Sequence, residues 1–191
     1  MGRALDMLME KLSVEETVKK TLEEISKRAL REILAYMVKG ENDATSLYAF
    51  LHEKLPEGYP KATFERFMMV EAEHSRKVKQ VFRSLFPGEE VPEVPFKSWG
   101  EILVEKDFRL RSVGDYLGVL RVAMDAEQLS EAVYTMLAEM LDRPEHKRIM
   151  RELAEDEREH YKLLKEEYEL YFEFEARKAL DELIRELKKG T

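Results

Sequence analysis

The sequence predicts an all-α protein, and three observations support that prediction. Glycine and proline are sparse, with 8 Gly and 6 Pro among 191 residues. The long stretches between them are rich in Glu, Lys, Leu, Ala and Arg, which favour helix. Alternating runs of β-branched residues between turn signals, which would indicate strands, are nearly absent.

Composition limits the class of protein further. With 38% charged and 44% hydrophobic residues, the chain has the composition of a soluble globular domain. No apolar run reaches about 18 residues, and no signal-peptide core is evident at the N-terminus. The net charge of −8 disfavours nucleic-acid binding. We therefore expect a cytoplasmic protein with neither a nucleic acid nor a membrane as partner.

Punctuating residues divide the chain into four long helices. In chain order, the predicted helices are 26–55, 61–86, 112–141 and 145 to about 171, the last continuing or kinking into a segment that ends at Gly190. Short loops join the first helix to the second and the third to the fourth, so each pair is predicted to form an antiparallel hairpin. The 25-residue stretch Pro87–Arg111 is long enough to cross from one end of the structure to the other. This pattern predicts a four-helix bundle with one long crossover.

Two helical pieces flank the predicted bundle, which occupies residues 26–170. Residues 1–25 are predicted to form a helical arm, in which Ser13 and Glu16 have the spacing of a capping box. Residues 171–191 form a predicted helical extension with apolar residues in helical steps. Both pieces need a surface to pack on, so either they cover the bundle or they mediate a homo-oligomer, for which we expect a dimer.

An internal repeat singles out the residues that carry chemistry. Glu-x-x-His occurs at Glu71–His74 and again at Glu157–His160, 86 positions later. The same offset relates Glu41 to Glu127, Tyr48 to Tyr134, and Ser26 to Ser112, the two predicted helix starts. The bundle therefore consists of two copies of one helical hairpin.

The repeated Glu residues are predicted to face the core. Each occupies a position of its helix's apolar stripe, at a spacing of three or four residues from its neighbours in the stripe. Burying an unpaired carboxylate costs several kcal/mol, and no Lys or Arg lies on these stripes to offset it. Two divalent cations would balance four carboxylates, and one His for each ion would complete the ligands. The candidate metal ligands are Glu41, Glu71, His74, Glu127, Glu157 and His160.

These motifs resemble those of the ferritin-like di-metal carboxylate proteins, and specifically those of the rubrerythrin-like branch. The resemblance covers about residues 26–170. It rests on four segments: GENDATSLY (40–48), EAEH (71–74), AEQLSEAVY (126–134) and DEREH (156–160).

The resemblance implies a di-iron site with two shared and four terminal ligands. Glu71 and Glu157 would bridge two iron ions, although manganese and zinc also suit such ligands. Glu41, Glu127 and the two His would be terminal, with the pairing of Glu and His left open. The implied activity is that of a di-iron oxidoreductase, a ferroxidase or peroxide reductase, which reacts Fe(II) with O2 or H2O2 in oxidative-stress or iron handling.

The chain departs from the rubrerythrin pattern at two points. It has no Cys and so cannot hold the rubredoxin iron site, which makes an external electron donor necessary. Rubrerythrins also have a second Glu three residues after the third-helix ligand, and Ser130 stands at that position here. Glu131, one place later, could approach the metals, although we expect neither it nor Asp156 to be a ligand.

Two alternative functions and several residue roles stay open. The protein could store or deliver iron, or be an interaction module in which zinc has only a structural role. Tyr48 and Tyr134 are expected to be core aromatics, while a hydrogen bond to a ligand Glu or an electron-relay role is a hypothesis. His52 and His146 have no partner at ligand spacing and are expected to have structural roles.

Overall fold

The computed structural model describes residues 18–94 and 110–189, apart from the side chains of residues 59 and 189. Within these ranges the regular elements are helices, which confirms the predicted fold class. Four are long: α1 (Leu30–Lys54), α2 (Tyr59–Leu85), α3 (Val113–Met140) and α4 (Pro144–Lys189). The Ser13–Glu16 capping box and most of the predicted crossover lie outside the described residues.

Two apolar clusters occupy opposite ends of the bundle. Cluster A joins the starts of α1 and α4 to the ends of α2 and α3, and its members include Ile33, Leu34, Phe82, Leu137 and Met150. Cluster B joins the end of α1 and the starts of α2 and α3 to the middle of α4, and its members include Leu51, Phe64, Tyr116, Leu120 and Leu164. Hence α1 and α4 run in one direction and α2 and α3 in the other. The middle of the bundle lies between the two clusters.

The two hairpins predicted from the repeat are the main packing units. Helix α1 packs along α2 and α3 packs along α4, and the hairpins then meet through α1 with α3 and through α2 with α4. Each helix therefore has two neighbours. This arrangement brings one side of all four helices to the bundle axis.

Helix boundaries follow local chemistry, with one departure from the prediction. Ser112 caps α3, since its Oγ accepts a hydrogen bond from the backbone N–H of Asp115 at 3.1 Å. Its counterpart Ser26 does not begin a helix. It ends a helical segment over residues 18–26, where its Oγ donates to the carbonyl of Glu23, and α1 begins four residues later. The two halves of the repeat therefore agree in their core positions but not in where their first helices begin.

Helix α4 is continuous from Pro144 to Lys189, so the segment predicted after about Tyr171 belongs to the same helix. With 46 residues, α4 is much longer than the other three helices, which have 25 to 28 residues each. Its length is about 69 Å. Its last fully buried residue is Leu164. None of the helices in the described ranges has an apolar stretch long enough to span a membrane.

Candidate metal centre

The six residues singled out by the repeat meet in the layer between clusters A and B. Helix α1 contributes Glu41 and α3 contributes Glu127, while α2 and α4 each contribute a Glu-x-x-His pair. All six side chains are buried, and the most exposed residue, His160, has a relative accessibility of only 6%. Buried Glu is rare unless it is paired, so four together require a specific explanation.

The six residues form two overlapping groups that could each hold a metal ion. One group is Glu41, Glu71, His74 and Glu157, and the other is Glu71, Glu127, Glu157 and His160. Within each group the potential ligand atoms all lie within 4.8 Å of one another. The geometry therefore pairs Glu41 with His74 and Glu127 with His160, which the sequence left open.

The shared carboxylates offer one oxygen to each side of the site. On one side, His74 Nδ1 lies 3.0 Å from Glu157 Oε1 and 3.3 Å from Glu71 Oε2. On the other side, His160 Nδ1 lies 2.7 Å from Glu71 Oε1 and 3.8 Å from Glu157 Oε2. Each of Glu71 and Glu157 thus has its two oxygens divided between the two His residues. A carboxylate that bridges two metal ions divides its oxygens in the same way.

Unpartnered buried atoms supply a test of whether a metal fits. Both carboxylate oxygens of Glu71 and the Nδ1 of His160 lack a hydrogen-bond partner within the described residues. The 2.7 Å separation between Glu71 Oε1 and His160 Nδ1 does not remove this deficit, because the two groups are not aligned for a hydrogen bond. Lone pairs that converge without protein partners are what a bound cation would satisfy. The residues present therefore fit a metal.

Two tyrosines link the hairpins across the site. Tyr48 on α1 donates a hydrogen bond to Glu127 on α3, and Tyr134 on α3 donates to Glu41 on α1. The structure thus supports the first half of the tyrosine hypothesis, a hydrogen bond to a candidate ligand. Burial, followed by repulsion from nearby carboxylates, raises the pKa of both phenols well above the usual value, so both stay protonated donors.

Tyr48→Phe and Tyr134→Phe are each expected to destabilise the metal-free protein by about 1–3 kcal/mol, because each leaves a buried carboxyl oxygen without its donor. Tyr116→Phe is the matched control, since Tyr116 donates to the half-buried Glu167 at 3.0 Å, away from the site. Urea unfolding measures all three. Site variants no less stable than the control would contradict the expectation.

The two His residues have different neighbours besides the carboxylates. His74 Nε2 lies 3.2 Å from Asp156 Oδ2, so Asp156 can fix the ring with Nδ1 facing the carboxylates. His160 instead has the ring of Phe67 beside it, with ring centroids 4.3 Å apart. A carboxylate behind a metal-binding His is a common support for the ligand. The two halves of the site are therefore unequal despite the repeat.

Burial and mutual repulsion disturb the carboxylates unequally. Burial raises the pKa of Glu41 to about 8, against the opposing contact with His74. Burial also raises the pKa of Glu157 well above the ordinary value, and repulsion from Glu71 adds to the effect. For Glu71 burial acts in the same direction, but contacts with His160 and His74 outweigh it and lower its pKa. Without a metal, protons on some of the carboxyls thus reduce the repulsion.

Both His residues hold protons more tightly than usual. Burial alone would lower the pKa of His160, but contacts with Glu127 and Glu157 raise it to about 12. The pKa of His74 is raised in the same way, since contacts with Glu157 and Glu41 outweigh its burial. A metal ion would have to displace these protons, because His and carboxylate ligands bind metals in their deprotonated forms.

A sequence model of the rubrerythrin family matches residues 32–168, which include all six residues of the site. This match covers well over half of the chain.

The chain belongs to the rubrerythrin family. Its bundle is accordingly ferritin-like, as the sequence motifs implied. The chain is also similar to a hypothetical protein from Pyrococcus furiosus of known structure, with 29% identity and a TM-score of 0.71. The similarity covers 80% of this chain and 96% of that one. No curated protein matches the chain.

The other residues that the sequence analysis considered in this rubrerythrin-family protein lie outside both groups of candidate metal ligands. The carboxylate of Glu131 is bound by Arg158 at 2.7 Å, so it does not take the place of the second Glu that Ser130 replaces. His52 lies against the carbonyl of Lys61, and the buried His146 lies against Ser84, as expected for structural roles.

Two supporting contacts were not predicted from the sequence. One is the Asp156–His74 contact, which the repeat could not reveal because position 70, its counterpart, is Val. The other is a hydrogen bond from the buried Ser75 to Asn42 at 2.8 Å, which ties α2 to α1 beside Glu41. Asp156, Ser75 and Asn42 are each next to a site residue in the sequence. This adjacency was the only sequence feature that could have indicated their supporting contacts.

Proposed function

We propose that this protein is a di-iron oxidoreductase that reacts Fe(II) with H2O2 or O2. The observation that carries the proposal is the pair of overlapping groups, in which Glu71 and Glu157 each face both His residues. Glu71 and Glu157 would bridge two iron ions. Glu41 with His74, and Glu127 with His160, would be the terminal ligands. Carboxylate with imidazole suits iron, and family membership supports that choice.

The bound iron would supply the redox chemistry: two Fe(II) give two electrons, which with two protons reduce one H2O2 to two waters. The protein's own groups would position the ligands. Tyr48 and Tyr134 hold the outer carboxylates, Glu127 and Glu41, by hydrogen bonds. Asp156 would accept a hydrogen bond from His74 Nε2, which would leave Nδ1 to bind metal. Clusters A and B exclude water from both ends of the site.

The electron donor must come from outside this chain. The sequence has no Cys, so a thiolate-bound iron or a dithiol within the chain is excluded. Under repeated turnover, another protein or a supply of Fe(II) would therefore restore the reduced site.

The proposal is tested first by elemental mass spectrometry on protein purified without added metal or chelator. We expect about two iron ions per chain. Anaerobic protein loaded with Fe(II) should then consume about one H2O2 per two Fe(II). Absence of bound metal even after Fe(II) is offered would overturn the proposal. Binding of zinc that stabilises the fold, without oxidation of offered Fe(II), would replace it with the structural metal role.

Removing the support behind His74 should weaken metal binding without removing a ligand. We expect Asp156→Ala to lower the affinity for Fe(II) or Co(II) by about 10–100-fold, the usual effect of losing such a partner. Glu155→Ala is the matched control, because Glu155 is the preceding residue on α4 and is exposed. Anaerobic Co(II) titration followed by absorption measures both variants. Equal affinities would show that Asp156 does not position His74.

A further inference from the structure

The end of α4 presents an apolar surface that nothing in the described residues covers. From residue 176 to residue 188 every side chain is exposed, and the large apolar ones include Leu180 at 56% and Leu187 at 65% relative accessibility. The match to the rubrerythrin family ends at residue 168, so this segment lies beyond it. Exposed apolar side chains grouped in this way mark interaction surfaces.

The apolar side chains form the seam of a coiled coil. Four of them follow one another at steps of four, three and four residues, and we call this set the tail seam: Ala176, Leu180, Leu183 and Leu187. Ile184 widens it on one side. Steps of three and four are the a and d positions of a heptad, which pack against a partner helix.

The tail seam does not continue the face that α4 buries in the bundle. At 3.6 residues per turn, the centre of the tail seam lies about 120° around the axis from the centre of the face that includes Glu157 and Leu164. A partner on the tail seam would therefore approach from the side away from the bundle. The partner cannot be α1, α2 or α3 of the same chain.

We propose that the tail seam binds the tail seam of a second copy of this chain, as a parallel pair of helices. Edge charges favour this partner and this direction. One edge of the seam has Glu182 and Glu186 beside one base, Lys189, and the other has Arg177 and Lys188 beside one acid, Asp181. Opposite edges meet in a parallel pair and like edges in an antiparallel pair. The parallel pair thus brings acidic side chains toward basic ones at both edges.

The parallel pair also satisfies the packing beside the seam. It places Ile184 of one copy against Ala179 of the other, whereas an antiparallel pair places Ile184 against Arg177. Because the tail seam and the bundle face of α4 point about 120° apart, each bundle lies to the side of the pair rather than between the two tails. The result is a twofold-symmetric dimer, which is the commonest oligomer.

The chain's own residues 1–17 are a less suitable occupant. Val18 and Leu22, which follow them, pack against cluster A, the cluster that contains Met150. The tail seam starts about 39 Å further along α4 than Met150. As the helix that their sequence predicts, residues 1–17 would span only about 26 Å and would not reach it.

Sedimentation velocity on the full chain tests the association. We expect a dimer that dissociates on dilution over about a hundredfold range of concentration, because the seam is short. The double variant Leu180→Lys with Leu187→Lys should be monomeric throughout. Phe174→Lys is the matched control, since Phe174 is also exposed, at 64%, but lies outside the seam. A monomeric wild type, or a dimer that the double variant retains, would overturn the proposal.

A single cysteine tests the direction, which is practical because the chain has none. In the parallel pair the two copies of position 187 touch, so Leu187→Cys should form a disulfide dimer under mild oxidation. In an antiparallel pair these positions would lie about 16 Å apart, too far for a disulfide. An uncrosslinked dimer would overturn the parallel arrangement. A monomer whose introduced thiol reacts only after deletion of residues 1–17 would identify the arm as occupant and overturn the proposal.

Discussion

Glu157→Gln is expected to abolish the paired metal site while leaving the metal-free protein at least as stable as the wild type. Glu157 belongs to both groups, with Oε1 facing His74 and Oε2 facing His160. A glutamine has no charge and offers one oxygen in place of two, so it cannot bridge. Metal content should fall from about two ions per chain to less than one.

The effect on stability should have the opposite sign, since the wild-type carboxyl is costly to bury. Burial and repulsion from Glu71 and Glu41 raise the pKa of Glu157, so its charged form is disfavoured in the folded protein. Glutamine has nearly the same shape as the protonated acid and removes this penalty. Urea unfolding without metal should therefore give an unfolding free energy no lower than that of the wild type.

Glu159→Gln is the matched control for both measurements. Glu159 lies two residues further along the same helix, is part of the repeat, and is exposed with its carboxylate bound to Lys162. It should bind metal as the wild type does. If Glu157→Gln retained two ions per chain, the bridging role would be wrong. If its metal-free form were clearly less stable, the buried carboxyl would be stabilising rather than costly.

The repeat is the reason why so much of the site could be predicted from sequence. A single Glu-x-x-His in a chain with 40 acidic residues carries little information. Six residues at one offset, each on an apolar stripe, specify both the depth and the direction of the side chains. The structure brings those six together and adds the pairing of Glu41 with His74, which depends on which helices become neighbours.

Features that break the repeat could not be predicted in this way. Asp156 and Phe67 differ between the two halves, and the asymmetry around the His residues follows from them. The start of α1 was misplaced because Ser26 has the same sequence signal as Ser112. A serine can cap the start of a helix or bond back to a carbonyl at its end, and packing decides between the two.

The metal-free protein is expected to lose stability as the pH rises from about 5 to about 8. Glu41, with its pKa raised to about 8, keeps a proton in the folded state that the unfolded chain loses near pH 4.5. His74 and His160, whose pKa values are also raised, keep protons that the unfolded chain loses near pH 6.5. The stabilisation from the proton on Glu41 is complete below about pH 4.5, and that from the protons on His74 and His160 is complete below about pH 6.5. Each declines as the pH rises above its value.

The slope is set by how many more protons the folded state holds. Each extra proton contributes about 1.4 kcal/mol of lost stability per pH unit. Glu71 does not oppose this trend, because its lowered pKa gives a stabilisation that is already complete above about pH 4.5. Glu157→Gln removes one titrating group whose pKa is raised. We therefore expect a shallower slope in that variant.

Bound metal should reverse the trend, since ions and protons compete for the same atoms. Displacing protons from His74, His160 and Glu41 becomes easier as the pH rises, so the stabilisation by Fe(II) or Mn(II) should grow. Urea unfolding at about pH 5, 6.5 and 8, with metal and with chelator, measures both trends. If the metal-free protein were equally stable at all three values, the six residues would not share protons as their burial and contacts require. If metal stabilised it most at the lowest pH, the ion would be binding elsewhere.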